Sequence, residues 1–107
     1  HEFVAQILAI DTEAKVIVLG DLNDFPWSLP VQTLAGQELE NLIERLPENE
    51  RYTYLYEGNA EVLDQILVSQ SLTENVDYFE IVHINAEMLP AMRLSDHDPV
   101  LAVFTFD

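Results

Sequence analysis

Three short polar clusters interrupt otherwise apolar stretches of this sequence, and their residue types suit proton transfer beside an anion. In the first, Gly20-Asp21-Leu22-Asn23, a carboxylate that can take up a proton stands one residue from an amide that can donate to an anion. If a strand runs on through both positions, alternation puts Asp21 and Asn23 on one face. The second cluster is Asp64, a lone carboxylate within Leu63-Asp64-Gln65-Ile66-Leu67-Val68. A carboxylate enclosed in an apolar strand is costly unless it is paired, so Asp64 needs a partner. The third is Ser95-Asp96-His97-Asp98, just ahead of Pro99. A histidine in such a turn is a fixed donor only when an acceptor orients its ring. Asp64 and His97 can satisfy each other.

These groups need elements to carry them. Val16-Ile17-Val18-Leu19 reads as a short strand buried on both faces, ending where Gly20 lets the chain turn. The C-terminal end of such a strand is where open α/β sheets place their chemistry. Upstream, Phe3, Val4, Ile7, Leu8 and Ile10 make a helical stripe from Glu2 to Ile10, followed by a polar turn. Downstream, Ser28 is placed to cap a helix starting near Pro30. Leu39, Leu42, Ile43 and Leu46 space as a second amphipathic helix that Pro47 ends. Four strands are then expected, over 52–56, 62–69, 78–84 and 99–106, with a loop from Glu87 to Arg93. The class is α/β or α+β with a mixed sheet.

A chain of 107 residues makes one small domain or part of a larger one, and a hydrophobic fraction of 49% can build a core. No apolar run reaches the length of a membrane span, so no membrane partner is expected. Twenty acidic residues face four Lys and Arg, for a net charge of −16. Such a surface excludes nucleic-acid binding by basic clamps alone, while its carboxylates suit divalent cations. The absence of cysteine excludes disulfides and thiol chemistry.

Gly20-Asp21-Leu22-Asn23, Leu63-Asp64-Gln65-Ile66-Leu67-Val68-Ser69 and Ser95-Asp96-His97-Asp98-Pro99-Val100, in that order, resemble the endonuclease/exonuclease/phosphatase superfamily, whose members include deoxyribonucleases, sphingomyelinases and inositol polyphosphate phosphatases. Tyr52-Thr53-Tyr54 with Gly58-Asn59, and Val82-His83-Ile84-Asn85-Ala86-Glu87, resemble its bacterial extracellular nuclease branch. Gln65 departs from that branch, which often has histidine there.

The resemblance implies a four-layer αββα sandwich, of which residues 1–107 would form the C-terminal half: one mixed sheet of about five strands with helices on one face. It implies hydrolysis of phosphodiesters or phosphomonoesters with Mg2+ or Mn2+, Ca2+ being a further candidate. By match, Asp21 would activate the attacking water and Asn23 would hold it or a phosphate oxygen. His97, oriented by Asp64, would donate to the phosphoryl oxygen. Asp96 would help bind the metal, alongside Asp21 and Asn23. Domains of this family are considerably longer than this chain and carry their main metal carboxylate in the N-terminal half. The chain by itself is therefore expected to be inactive, with an exposed sheet face covered by the missing half or by a second copy. The expected protein is a secreted bacterial nuclease acting on DNA or RNA. The alternatives are an enzyme for inositol phosphates or phospholipids, and an interaction module with relict motifs.

Several residues also carry plainer readings. Asp21 and Asn23 alone could make a hydrogen-bonded turn. Asp24 and Asp98 are expected to be solvated charges, His83 a satisfied core histidine, and Tyr52, Tyr54 and Tyr56 packing on one strand face. Phe25 and Trp27 suit either a base at the rim of the site or anchoring of their loop in the core. His1 is set aside as a terminal residue.

Overall fold

The computed structural model describes residues 2–106; His1 and Asp107 lie outside the described residues. The chain runs through helix α1 (Glu2–Ile10), strand β1 (Ile17–Asp21), helix α2 (Leu29–Ala35), and strands β2 (Leu39–Asn41), β3 (Tyr54–Tyr56), β4 (Asn59–Glu61), β5 (Asp64–Ser69), β6 (Val76–Ile81) and β7 (Val100–Phe104). Short 3-10 turns at Leu42–Arg45, Glu48–Glu50, Gln70–Asn75 and Pro90–Met92 link them. The α+β class is the one expected. The single mixed sheet is not: among the described residues the strands form three antiparallel sheets, β1-β5-β2, β3-β4 and β6-β7. Pairing depends on which distant segment meets a strand, and composition carries no record of that.

Strand β5 is the axis, because its alternation serves two cores at once. Leu67 faces the helical side, where it packs with Val4 and Leu39 and against Leu8, Val18 and Ala35. Ile66 and Val68 face the other way, into a cluster with Leu42, Ile43, Leu72, Phe79 and Ile81 that β7 borders with Val100, Ala102 and Phe104. The layers are therefore helices, the β1-β5-β2 sheet, and the β6-β7 pair. Each fully buried aliphatic or aromatic side chain in these clusters contributes about 1.5–3 kcal/mol.

The doubly buried strand is β5 and not β1. β1 lies at the sheet edge, with Ile17 42% and Leu19 65% exposed. In register, Ile17 stands opposite Val68 and Leu19 opposite Ile66. All four share the face toward the β6-β7 pair, which covers β5 but stops short of β1. Register at the other end is held by Ser69, fully buried, whose Oγ donates to the Ala14 carbonyl and accepts from the Val16 N–H. A slip by one residue would turn every β1 side chain to the wrong face.

Ser28 caps α2 as expected, its Oγ accepting from the Val31 N–H at 3.4 Å, and Gly36 ends it at φ 55°. The helix expected over Leu39–Leu46 is instead β2 followed by a 3-10 turn. Pairing with the buried β5 overrides helical spacing there, and the Asn41 side chain accepts from the Ile43 N–H to start the turn. Among the described residues no helix is long and apolar enough to cross a membrane.

Candidate active site

β1 and β5 run antiparallel, and their register sets Asp21 directly opposite Asp64. His97 comes to the same point from the last loop, where it bridges to Tyr54. Ligand atoms of Asp21, Asp64 and His97 all lie within 4.8 Å of one another. The expected pair is present: His97 Nδ1 lies 2.6 Å from Asp64 Oδ2. His97 Nε2 stands 4.0 Å from Asp96 Oδ1, too far for a hydrogen bond, so this nitrogen is free to donate elsewhere. Asp96 itself is exposed. A cleft of about 170 Å³ opens beside the two carboxylates, lined also by Ile66 and Pro99. Leu19 and Val100 also line it and His97 does not, so the cleft is largely apolar and smaller than whole small-molecule sites, which run to about 300–1,000 Å³.

Asn23 is not positioned as expected. β1 ends at Asp21, and Asn23 takes φ 51° while its N–H donates to Asp21 Oδ1 at 2.8 Å. Strand alternation therefore does not place it; an Asx turn does. The plain turn reading is the one seen: one Asp21 oxygen anchors the turn, while the carboxylate stays within 4.8 Å of His97. Gly20, paired with Gln65, holds φ 145°, a region other residues rarely adopt. A side chain there would strain the backbone immediately before Asp21, although the surrounding space is open.

The residues that hold this arrangement were not identifiable in the sequence. Thr53, fully buried, accepts from the Asp64 and Leu63 N–H groups through Oγ1, and its carbonyl accepts from the Asp98 N–H at 2.7 Å. One residue thus ties the Asp64 strand, through its hydroxyl, to the segment that follows His97, through its carbonyl. The Tyr54 ring stacks on His97 at 4.9 Å, so it orients the imidazole as well as packing. Gln65, 1% exposed, accepts from Asn41 Nδ2 and donates to the Asp24 carbonyl, pinning the loop after Asp21.

Asp98 corrects the expectation of a solvated charge: it is 2% exposed. Its Oδ1 accepts from the Asn85 and Ala86 N–H groups, and its Oδ2 lies 2.8 Å from His83 Nδ1. Asn85 in turn donates to the His97 carbonyl. His83 is satisfied at Nδ1 only, since its Nε2 is buried without a partner, which favours the tautomer with its proton on Nδ1. Tyr52 stacks on His83 at 4.0 Å and donates to Glu87. Burial and that glutamate push its hydroxyl up to about 12, so it remains a donor.

The family model described as the Endonuclease/Exonuclease/phosphatase family matches residues 1–100, nearly the whole chain and all three motif clusters. The chain belongs to this family. No curated protein and no solved structure matches it. Membership in the endonuclease/exonuclease/phosphatase family carries the family's general chemistry, hydrolysis of phosphate esters with a divalent metal ion.

The donor set fits such an ion. Two carboxylates directly across an antiparallel pair repel each other, and a hard divalent cation offsets that repulsion. Asp21 is the natural oxygen ligand, since Asp64 already holds the imidazole. Asp21→Asn keeps the turn acceptor and removes one of the opposed charges. It is expected to raise the melting temperature of the chelator-treated protein by a few degrees, corresponding to about 0.2–1 kcal/mol. It should also abolish most of the rise that Mg2+ or Mn2+ produces in the parent. Equal cation-induced shifts in both proteins would exclude Asp21 as a ligand.

Burial pulls the His97 pKa down, but its hydrogen bond to Asp64 and the charges of Asp64, Asp21 and Asp96 outweigh this and raise it above 6.5. A histidine raised on folding adds stability that is full below its unfolded value and is lost as pH climbs through the folded one. In chelator, the melting-temperature gap between the parent and His97→Gln should therefore be widest near pH 6 and narrow as pH rises toward 9. A flat gap would show that His97 gains no net charge stabilisation on folding.

Proposed function

We propose that this protein is a metal-dependent nuclease that cleaves phosphodiesters of DNA or RNA, with Asp21, Asn23, Asp64, Asp96 and His97 as its working groups. The observation that carries the reading is the convergence of Asp21 with the Asp64–His97 pair within 4.8 Å. Asp21 takes the proton of the water that attacks phosphorus, and the Asn23 amide holds that water or a non-bridging oxygen. Asp64 keeps the His97 ring in place so that Nε2–H donates to the oxygen on which charge builds. Asp21, Asn23 and Asp96 are the groups for a divalent cation, Mg2+ or Mn2+ in the first place. Such an ion, when bound, neutralises phosphate charge and assists the leaving oxygen.

The 107 residues form the C-terminal half of the catalytic domain in this reading. The uncovered Ile17 and Leu19 face and the free edge of β1 support it, since a further layer is needed to bury them. That layer comes from the rest of the domain, which also supplies the main metal carboxylate. Secretion from a bacterium follows from the likeness to extracellular nucleases. Plasmid nicking by the full-length protein in Mg2+ or Mn2+ tests the proposal, with Asp21→Ala and His97→Ala alongside. The parent should nick and both variants should not. Equal nicking by all three would refute the catalytic assignment, and turnover of inositol phosphates or sphingomyelin in place of DNA and RNA would refute the nuclease.

A further inference from the structure

The loop that follows Asp21 presents the Trp27 ring to solvent, backed by a half-buried Phe25. Phe25 and Trp27 stack with centroids 5.0 Å apart and planes 13° from parallel. Trp27 remains 75% exposed, so it does not anchor the loop in the core. Anchoring is achieved by polar contacts instead. Gln65 Nε2 donates to the Asp24 carbonyl at 2.7 Å, Gln32 Nε2 donates to the Pro26 carbonyl at 2.6 Å, and the Ser28 N–H closes the turn onto Phe25. The Phe25 N–H is held in turn by Asp24 Oδ1. A segment with its backbone fixed this firmly keeps its rings in one place, and a preorganised surface loses little entropy on binding.

A concavity of about 470 Å³ lies against the stacked pair, with Arg51, Asn59, Glu48 and Glu61 on its wall. That volume falls within the range of small-molecule sites. Arg51 donates to the Leu46 and Glu44 carbonyls, neutral acceptors that leave its charge available. Arg45, by contrast, is taken up by Glu40 at 2.9 Å. Glu48 and Glu61 on the same wall offset the Arg51 charge, so the concavity offers no net attraction to a phosphate and binding there must come from the rings. Asn59 adds an amide of the kind that pairs with base edges.

We propose that the Phe25–Trp27 stack is a subsite for an unpaired nucleobase flanking the scissile phosphate. This rests on the nuclease reading above and extends it to single-stranded segments of the substrate. Aromatic rings bind unpaired bases of any identity, because every base has a π-face. The subsite also resolves how a chain of net charge −16 holds a polyanion: the affinity comes from stacking and not from phosphate neutralisation. Binding should accordingly weaken little with salt, with a log–log slope no steeper than about −0.7, the value for a single phosphate contact on a single strand.

Trp27 is the single tryptophan, so its fluorescence reports on the subsite directly. Short oligodeoxyribonucleotides and oligoribonucleotides would be titrated in chelator, where nothing is cleaved, against an abasic strand and inositol hexakisphosphate. Saturable quenching by the base-bearing strands and not by the other two is expected, and comparing the two sugars shows which nucleic acid is preferred. Phe25→Ala and Phe25→Leu should both weaken binding by about tenfold or more, since neither has a π-face. Equal quenching by the abasic strand, or full affinity retained in Phe25→Leu, would overturn the subsite. Because the readout needs no turnover, quenching in the 107-residue chain with no nicking by the full-length protein counts against the nuclease alone, and nicking by the full-length protein with no quenching counts against the subsite alone.

Discussion

Asp64→Asn is expected to slow phosphodiester cleavage by about 10²–10⁴-fold, the usual worth of a positioned proton donor. The carboxylate accepts from His97 Nδ1 at 2.6 Å and favours the imidazolium, in which Nε2–H is the donor aimed outward. An asparagine in the same place can accept from Nδ1–H through its amide oxygen but carries no charge to hold the imidazolium, so a neutral His97 then presents Nε2 as an acceptor where the phosphoryl oxygen needs a donor. His97→Ala removes the donor outright and should cost a similar factor. The double variant should be little worse than either single one, because the two side chains act as a unit. Near-parental nicking by Asp64→Asn would mean that the imidazole is oriented by other contacts, with Tyr54 stacking the first of them to consider. Stability offers a control. Asp64 is only half-buried and its backbone N–H bond to Thr53 does not involve the side chain, so the melting temperature should change far less than the rate.

Asp98→Ala should act in the opposite sense, mainly on stability. Three donors lose their acceptor at once: the Asn85 and Ala86 N–H groups and His83 Nδ1. The site is 2% exposed, so water cannot replace the carboxylate without rearrangement. Each buried donor left without an acceptor costs about 1–3 kcal/mol, against the about 5–15 kcal/mol that stabilises a typical domain. Chemical denaturation of Asp98→Ala beside the parent measures it, and a loss below about 1 kcal/mol would mean that the network around His83 contributes little. The lesion also reaches the site, since Asn85 holds the His97 carbonyl and the Asp98 N–H bonds to Thr53.

The two variants mark how far the sequence could be read. Asp64 was legible because a lone acid in an apolar strand is conspicuous, and its cost demands a partner whatever the fold. His97 was legible for the converse reason, a histidine with no acceptor of its own. Asp98, one residue further on, looked like one more surface acid. Nothing local distinguishes it from Asp96, and only the return of residues 83–86 over it makes it a buried acceptor. Thr53 and Gln65 were equally silent, their roles lying in contacts with Asp98, Asp64 and Asp24 across the chain.

The same division runs through the fold. Sequence alone determined the elements whose signals are local: the α1 stripe, the Ser28 cap of α2, the apolar run of β5, and the order of the three motif clusters. Tertiary structure decided everything that depends on a second segment. It made β5 the buried axis and β1 an edge, and turned Leu39–Asn41 from a helical spacing into a strand. It also set Asp21 opposite Asp64 and left Trp27 in solvent. The physical reason is one of range. Periodicity and capping arise among residues a few positions apart, whereas register and burial are energies of contact between segments that the chain brings together only on folding.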